Sequence, residues 1–139
     1  MSVPTQAYTW NQGEDLTISL IYKEGPTGAE APVDLTGWKL RMDVVDSSGR
    51  IFTFNSDDIA ESGVDTVGPS DNEAVLGSDG SISITVPRSL TLSGGPIYAR
   101  MQTGNSVFNY DIFLRNTANK QWPILRGTIQ VLESYTQWA

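Results

Sequence analysis

Apolar and polar residues alternate along much of this chain, with the period of two that is typical of half-buried β-strands. The pattern is clear in DLTISLIY (15–22), TGWKLRMDVV (36–45), SISITV (81–86) and VFNYDIFL (107–114). A helix would place Lys39, Arg41 and Asp43 among the apolar residues of the second segment, so a strand is favoured there. Further strands are predicted at RIFTF (50–54), IYARM (97–101), WPIL (122–125) and GTIQVL (127–132).

Turn residues separate these segments. DSSG (46–49) has the Asp and Gly positions of a type I turn, which predicts a hairpin, and TGN (103–105) predicts another. Pro87 ends a strand because it has no N–H, and one short helical turn is predicted near residues 88–93, with Leu90 and Leu92 over one end of the core. The fold class is therefore all-β: a single antiparallel β-sandwich of about seven or eight strands, immunoglobulin-like or jelly-roll-like.

Residues 55–79 lose this periodicity and contain acids but neither Lys nor Arg. A connection of this length is unusual in a compact domain and often forms an interaction surface, so we predict an acidic surface loop. The spacing of the acids does not match an EF-hand, and no metal site is predicted. The acids are Asp57, Asp58, Glu61, Asp65, Asp71, Glu73 and Asp79.

Polar segments flank the predicted sandwich, which spans residues 10–133. The N-terminal arm is residues 1–9, the C-terminal tail is residues 134–139, and each lies near a Trp. Such ends are commonly frayed, but an aromatic residue at a terminus also suits a partner's pocket, and both interpretations stay open. On the second interpretation, the arms lie extended on neighbouring subunits. The candidate partner-binding residues are Tyr8, Trp10, Tyr135, Trp138, Asp57, Asp58 and Glu61.

The amino-acid composition excludes several classes of function. The 139 residues carry a net charge of −7, opposite to the basic surface that nucleic acid requires, and no apolar run is long enough to cross a membrane. The absence of His and Cys excludes the common catalytic triads and zinc ligand sets. We expect no enzymatic activity and no cofactor. Two alternatives stay open: a glycosidase that uses carboxylates, for which Asp111 comes nearest, and a carbohydrate-binding module that uses Trp38, Trp122 and Trp138.

Five segments, taken in order, resemble small virion proteins of tailed bacteriophages. They are similar to the N-terminal module of upper baseplate proteins and to cyanophage structural proteins, from Trp10 to about Thr136. Their motifs are strand and turn patterns, which specify a fold better than an activity. The segments are WNQGEDLTISLIY, PVDLTGWKLRMDVVD, GSISITVPRSLTLSGGPIYARM, YDIFLR and ILRGTIQVLESYT.

This resemblance implies a structural protein located in the virion and assembled in the host cytoplasm. Its partners would be other phage structural proteins of the tail, baseplate or capsid, and it would be a homo-oligomer or present in many copies, without nucleic acid or membrane contacts. In the baseplate relatives a fibre-attaching portion follows the module, whereas this sequence ends at Ala139. We therefore expect an adaptor on the tail or baseplate, with capsid decoration as the alternative.

Overall fold

The computed structural model describes residues 3–56, 65–67 and 74–133. Over these residues the regular elements are β-strands, apart from one short 3₁₀ helix and one short α-helix, which confirms the all-β prediction. The elements are β1 (Tyr8–Asn11), β2 (Leu16–Ile21), β3 (Lys23–Glu24), β4 (Ala31–Pro32), β5 (Lys39–Asp46), β6 (Gly49–Asn55), β7 (Asp65–Val67), β8 (Ala74–Leu76), β9 (Ser81–Val86), the 3₁₀ helix (Arg88–Thr91), α1 (Pro96–Gln102), β10 (Val107–Arg115) and β11 (Gln121–Leu132).

Two sheets form the sandwich. The large sheet has the strand order β1-β11-β10-β5-β6-β7, and the small sheet has the order β2-β9-β8. The inner pairs of the large sheet are antiparallel, as predicted, but β1 runs parallel to β11 and β7 runs parallel to β6. The predicted antiparallel sandwich is therefore confirmed for the inner strands, and the two edge strands of the large sheet are parallel to their neighbours.

A single hydrophobic core lies between the two sheets. The alternating apolar residues of β5 and β10 face those of β2 and β9 in one continuous cluster of buried side chains. This is the expected result of a period of two, because each strand turns every second side chain toward the core. The fully buried members include Trp10, Ile18, Leu40, Met42, Phe52, Phe54, Ile82, Ile84, Phe108 and Ile112.

The segment 97–101 is a helix, so the strand predicted there is wrong, and so is the hairpin turn predicted at 103–105. Pro96 occupies the start of α1, where its missing N–H is not needed. At the other end, Gly104 has a φ of +88°, and the amides of Gly104 and Asn105 donate to the carbonyls of Met101 and Arg100 at 3.0 and 3.1 Å. This is a Schellman motif, which ends a helix rather than a strand.

The helix is tied to the predicted β5–β6 hairpin, which is present with Asp46 paired to Gly49. The Asp46 carboxylate, almost fully buried, accepts a hydrogen bond from Asn105 Nδ2 at 3.0 Å and lies 3.5 Å from Arg100 Nε. The helical turn predicted near 88–93 is confirmed as the 3₁₀ helix, with Leu90 buried.

The last two predicted strands are one continuous strand, β11. Its register against β10 shifts between Ile112 and Phe113, which leaves Ile124 as an extra residue in a β-bulge next to Pro123. A bulge accommodates a proline inside a sheet because the missing N–H falls where the ladder is already interrupted.

The region 55–79 was predicted to be a loop throughout, but it contains two strands. It contributes β7 to the large sheet and β8 to the small sheet. Both strands are three residues long, which is too short for alternation to reveal them in the sequence.

Candidate interaction surfaces

The candidate partner-binding residues fall into two groups. Tyr8 and Trp10 lie on β1, whereas Asp57, Asp58, Glu61, Tyr135 and Trp138 lie outside the described residues. Tyr8 is half-buried against Tyr110, with ring centroids 5.8 Å apart. Trp10 is 1% exposed, and its indole N–H donates to the carbonyl of Glu14 at 2.6 Å. Trp10 is therefore part of this domain's own core, and the prediction that it anchors in a partner's pocket is corrected.

The N-terminal segment follows β11 of its own chain. β1 pairs with residues 129–132, and before it the Gln6 amide donates to the Arg126 carbonyl at 3.0 Å while the Arg126 amide donates to the Pro4 carbonyl at 3.1 Å. The prediction of an arm over residues 1–9 is thus corrected for Pro4 onward, because residues 4–6 bond to Arg126 and Tyr8 begins the edge strand β1. The extended arm that one interpretation placed on a neighbouring subunit lies on its own chain.

Two residues of the large sheet hold this segment in place. The Tyr110 hydroxyl donates to the Gln6 carbonyl at 2.6 Å, and burial, together with the nearby Tyr8, raises the pKa of Tyr110. Gly127 leaves room for the main chain, since a Cβ at that position would lie 2.0 Å from the Gln6 oxygen. The N-terminal segment is therefore held against β11 by a fitted contact.

Charged and polar side chains form a row across the outer face of the large sheet. Arg126, Asp111, Asp43 and Thr53 are successive cross-strand neighbours on β11, β10, β5 and β6. Asp43 accepts a hydrogen bond from the buried Thr53 hydroxyl, and Arg41 Nε lies 3.2 Å from its carboxylate. The polar groups of this face therefore largely satisfy one another.

Asp111 sits in the middle of this row, on the outer face that its strand position predicts, but its side chain is half-buried there. Burial raises its pKa, and the neighbouring Asp43 raises it further, against the opposing effect of Arg126 and Arg41. Such a carboxylate pair is the residue type that a glycosidase needs, but Asp43 is already engaged by Thr53 and Arg41. The arrangement is that of a structural ion network.

Three aromatic side chains meet at one end of the sandwich. Trp38 and Trp122 contact edge to face with ring centroids 5.6 Å apart, and the Trp122 indole donates to the Tyr22 hydroxyl at 2.9 Å. That hydroxyl in turn donates to Glu24 at 3.0 Å. All three rings are partly buried against the core. Trp38 and Trp122, which could offer stacking faces to a sugar, are thus packed against one another.

The outer face of the small sheet has a different character. Its outward positions, along the described strands, carry hydroxyl or aliphatic side chains and no charged group, in a chain of net charge −7. The row Ser19, Ser83 and Val75 crosses all three strands in register. We call this surface the hydroxyl face. It consists of Thr17, Ser19, Ile21, Val75, Ser81, Ser83 and Thr85.

Two large aliphatic side chains are exposed on the hydroxyl face, namely Ile21 at 59% and Val75 at 52%. The alternation in DLTISLIY showed that Ile21 points outward, whereas Val75 lies in the region 55–79, which has no periodicity. Nothing in the sequence showed that these segments and SISITV are neighbours. The hydroxyl face was therefore missed in the sequence, although the run of outward Ser and Thr residues was the signal for it.

Two kinds of feature are absent from the part of the chain that the structure describes. No helix there has the length and apolar character needed to cross a membrane. No group of three or more acidic side chains is placed there to hold a metal ion.

Comparisons with known proteins find similarity at the level of solved structures. No family model matches the chain, and no curated protein matches it. Murine CRIg is similar with 14% sequence identity and a TM-score of 0.38, over 94% of this chain and 92% of that one. The extracellular domains 3–5 of Drosophila OTK are similar with the same identity and TM-score, over 94% of this chain, which spans 34% of the OTK chain. At this level of similarity, neither protein's role transfers to this chain.

Proposed function

We propose that this protein is a non-enzymatic structural component of a tailed-phage virion, which docks on another virion protein through the hydroxyl face. The observation that carries the proposal is the lack of charge on that face, whose outward residues are Ser, Thr, Ile and Val. Depletion of charged residues distinguishes the core of a protein interface from the rest of a surface. The resemblance of the chain to phage structural proteins supplies the kind of partner.

The side chains of the hydroxyl face suit docking. Ser, Thr and Val are short, so ordering them on binding costs little conformational entropy. Ile21 and Val75 supply apolar area near the serines, and the hydroxyls can donate or accept hydrogen bonds without the desolvation cost of a charge. The outer face of the large sheet lacks these properties because its charged groups already bind one another.

The position in the particle separates two forms of this proposal. The number of copies of a tail or baseplate adaptor in one particle is a small multiple of the tail's rotational symmetry. The number of copies of a capsid decoration protein is instead proportional to that of the major capsid protein. We favour the tail, because the resemblance is to a baseplate module. Quantitative mass spectrometry of purified particles distinguishes the two positions.

The test of docking places a charge at the centre of the hydroxyl face. We expect Ser83→Lys to lower binding to purified particles that lack the protein by about tenfold or more, because an unpaired ammonium must be desolvated at the contact. The matched control is Asn109→Lys, which adds the same charge at an exposed position on the outer face of the large sheet. Both variants should keep the wild-type circular dichroism spectrum.

Binding is measured by co-sedimentation with the particles. Equal loss of binding in the two variants would assign the effect to net charge, and unchanged binding of Ser83→Lys would overturn the role of the hydroxyl face.

A further inference from the structure

β2 is an edge strand of the small sheet, and no strand among the described residues pairs with its outer side. The Tyr22 amide donates to the Gly80 carbonyl at 2.8 Å, in the same register that pairs Leu20 with Ile82 and Ile18 with Ile84. Hydrogen-bonded pairs alternate in an antiparallel ladder, so the even-numbered residues of β2 bond to β9. The main-chain N–H and C=O groups of Thr17, Ser19 and Ile21 therefore point away from β9, and no described main-chain group pairs with them.

The edge also lacks the usual protection against strand pairing. Natural edge strands carry charged residues, a proline or a bulge, and β2 has none of these between Leu16 and Ile21. By contrast, the large sheet covers β11 with the N-terminal segment.

We propose that β2 pairs with β2 of a second copy of this chain, antiparallel and about a two-fold axis at Ser19. The outward groups lie at positions 17, 19 and 21, which are symmetric about Ser19. Ser19 then faces Ser19 of the second copy, and Thr17 faces Ile21 of the second copy, so every outward main-chain group of the three residues finds a partner. The two small sheets become one continuous sheet.

Charge complementarity specifies a second copy as the occupant. In this register Asp15 lies opposite Lys23 of the second copy, and the two-fold axis repeats the pair at the other end. One oxygen of the Asp15 carboxylate accepts a hydrogen bond from the Arg88 amide of its own chain at 2.9 Å, so the negative charge is held at this end of the strand. Opposite charges that face each other across strands are favourable, whereas like charges oppose pairing. The same register carried one residue further would set Glu14 opposite Glu24 of the second copy, which are like charges. Glu14 lies outside the extended strand, because its amide donates to the Asn11 carbonyl at 3.1 Å in the turn before β2, and the Glu24 carboxylate accepts a hydrogen bond from the Tyr22 hydroxyl of its own chain at 3.0 Å.

This pairing does not depend on the proposed docking function. A dimer would nevertheless strengthen docking. It leaves the hydroxyl faces of both copies on the same side of the joined sheet, since the pleat continues across the axis. Two docking faces on one dimer bind with avidity, which a single copy lacks. Pairing is measured on the purified protein alone and docking on particles, so the two proposals can fail separately.

The first test is Ser19→Pro, measured by sedimentation equilibrium over a concentration series that reaches the millimolar range. Proline removes the outward N–H of residue 19 but no bond to β9, so it is tolerated on an edge strand. We expect wild-type protein to dimerise, and the variant to raise the dimer dissociation constant by at least about tenfold. Ser19→Thr, which keeps the N–H, is the matched control and should dimerise like the wild type.

The second test reverses the charge pair and does not depend on the fold of the proline variant. Lys23→Glu places a carboxylate opposite Asp15 of the second copy, and Asp15→Lys places an ammonium opposite Lys23, so each variant alone should dimerise more weakly than the wild type. Asp15→Lys also removes the acceptor of the Arg88 amide, so its circular dichroism spectrum is first compared with that of the wild type. An equimolar mixture of the two restores opposite charges at both ends. We therefore expect the mixture to form a heterodimer, measured by native mass spectrometry.

Three results would overturn the proposal. They are a wild-type protein that stays monomeric throughout the concentration series, a Ser19→Pro variant that dimerises like the wild type, and a charge-reversed mixture that associates no better than its components. A monomeric wild type whose binding to particles is lost in Ser19→Pro would instead assign the edge to a strand of another protein.

Discussion

The two sheets of this sandwich present opposite outer surfaces. On the large sheet, the charged residues of neighbouring strands face one another, and Asp43 binds the Thr53 hydroxyl and the Arg41 guanidinium. On the small sheet, the outward strand positions of the hydroxyl face carry no charged residue, and the Ser81 hydroxyl at its margin donates to the Asp79 carboxylate at 2.6 Å. The polar residues of the first surface contribute to the stability of the fold, whereas we propose that Ser19 and Ser83, at the centre of the second, contact a partner.

The two sheets also differ in how their edge strands are held. The N-terminal segment closes the large sheet beside β11, and Gly127 and Tyr110 fit its main chain. The small sheet ends at β2 with main-chain groups directed outward. The edge segment of the large sheet is thus held by side-chain and main-chain contacts, and the edge of the small sheet at β2 is where we propose association.

The largest loss of stability is expected at the contact between Gly127 and the N-terminal segment. In Gly127→Ala, the new methyl group would lie 2.0 Å from the Gln6 oxygen, so the N-terminal segment must move away. The variant loses the Tyr110–Gln6 hydrogen bond and the contacts around Arg126, and we expect its free energy of unfolding to fall by about 2–4 kcal/mol. Urea denaturation measures the loss, and amide hydrogen exchange at Gln6 shows where it arises.

The control for this substitution is Thr128→Ala, which removes an exposed side chain from the next position of β11. It should change the stability by less than about 0.5 kcal/mol. Wild-type stability in Gly127→Ala, together with a protected Gln6 amide, would show that the sheet accommodates the methyl group without releasing the segment.

A pair of truncations compares the two outer faces directly. Asp43→Ala leaves the buried Thr53 hydroxyl and the Arg41 guanidinium without their shared acceptor, so we expect a loss of about 2 kcal/mol. Ser83→Ala removes a hydroxyl from the central strand of the small sheet, and the expected change is within about 0.5 kcal/mol. Both are measured by urea denaturation, and equal losses would contradict the contrast between the faces.

Much of the fold could be predicted because alternation reports burial. Strands such as β2, β5 and β10 have one face in the core, so their apolar residues recur at every second position. The same rule failed at α1, because Ile97 and Met101 are four residues apart and fit both a strand and a helix. There Pro96 and Gly104 decide the outcome through main-chain geometry.

The interaction surfaces were harder to predict, since alternation does not reveal which strands are neighbours. β1 binds β11 through main-chain groups that every residue carries, so nothing in the sequence distinguishes an arm that docks on its own chain from one that docks on a neighbour. Trp10 was assigned to a partner because it lies close to the N-terminus, yet the pairing of β1 carries it into the core. The hydroxyl face likewise exists only once β2, β9 and β8 are paired.

The smallest change in stability is expected for the charged row on the large sheet, and it is measured as a function of pH. The pKa of Asp111 in the folded protein is raised above its ordinary value, chiefly by burial and then by Asp43. The folded state thus holds the proton more tightly, and ionisation of Asp111 opposes folding as the pH rises from the unfolded pKa through the folded one. Asp111→Asn removes this penalty. We expect the variant to be more stable than the wild type at pH 7, by less than about 1 kcal/mol because the side chain is partly exposed.

The gain from Asp111→Asn should vanish below the ordinary pKa of 3.8, where the wild-type side chain is already neutral. Asp34 offers a control of opposite sign, since hydrogen bonds from the Thr36 hydroxyl and amide lower its pKa. Ionised Asp34 stabilises the fold above its ordinary pKa, and this contribution is lost as the pH falls through the folded pKa. Asp34→Asn should therefore be less stable than the wild type at pH 7. Thermal unfolding across pH measures both differences, and a destabilised Asp111→Asn at pH 7 would mean that attraction to Arg126 and Arg41 outweighs the burial of this carboxylate.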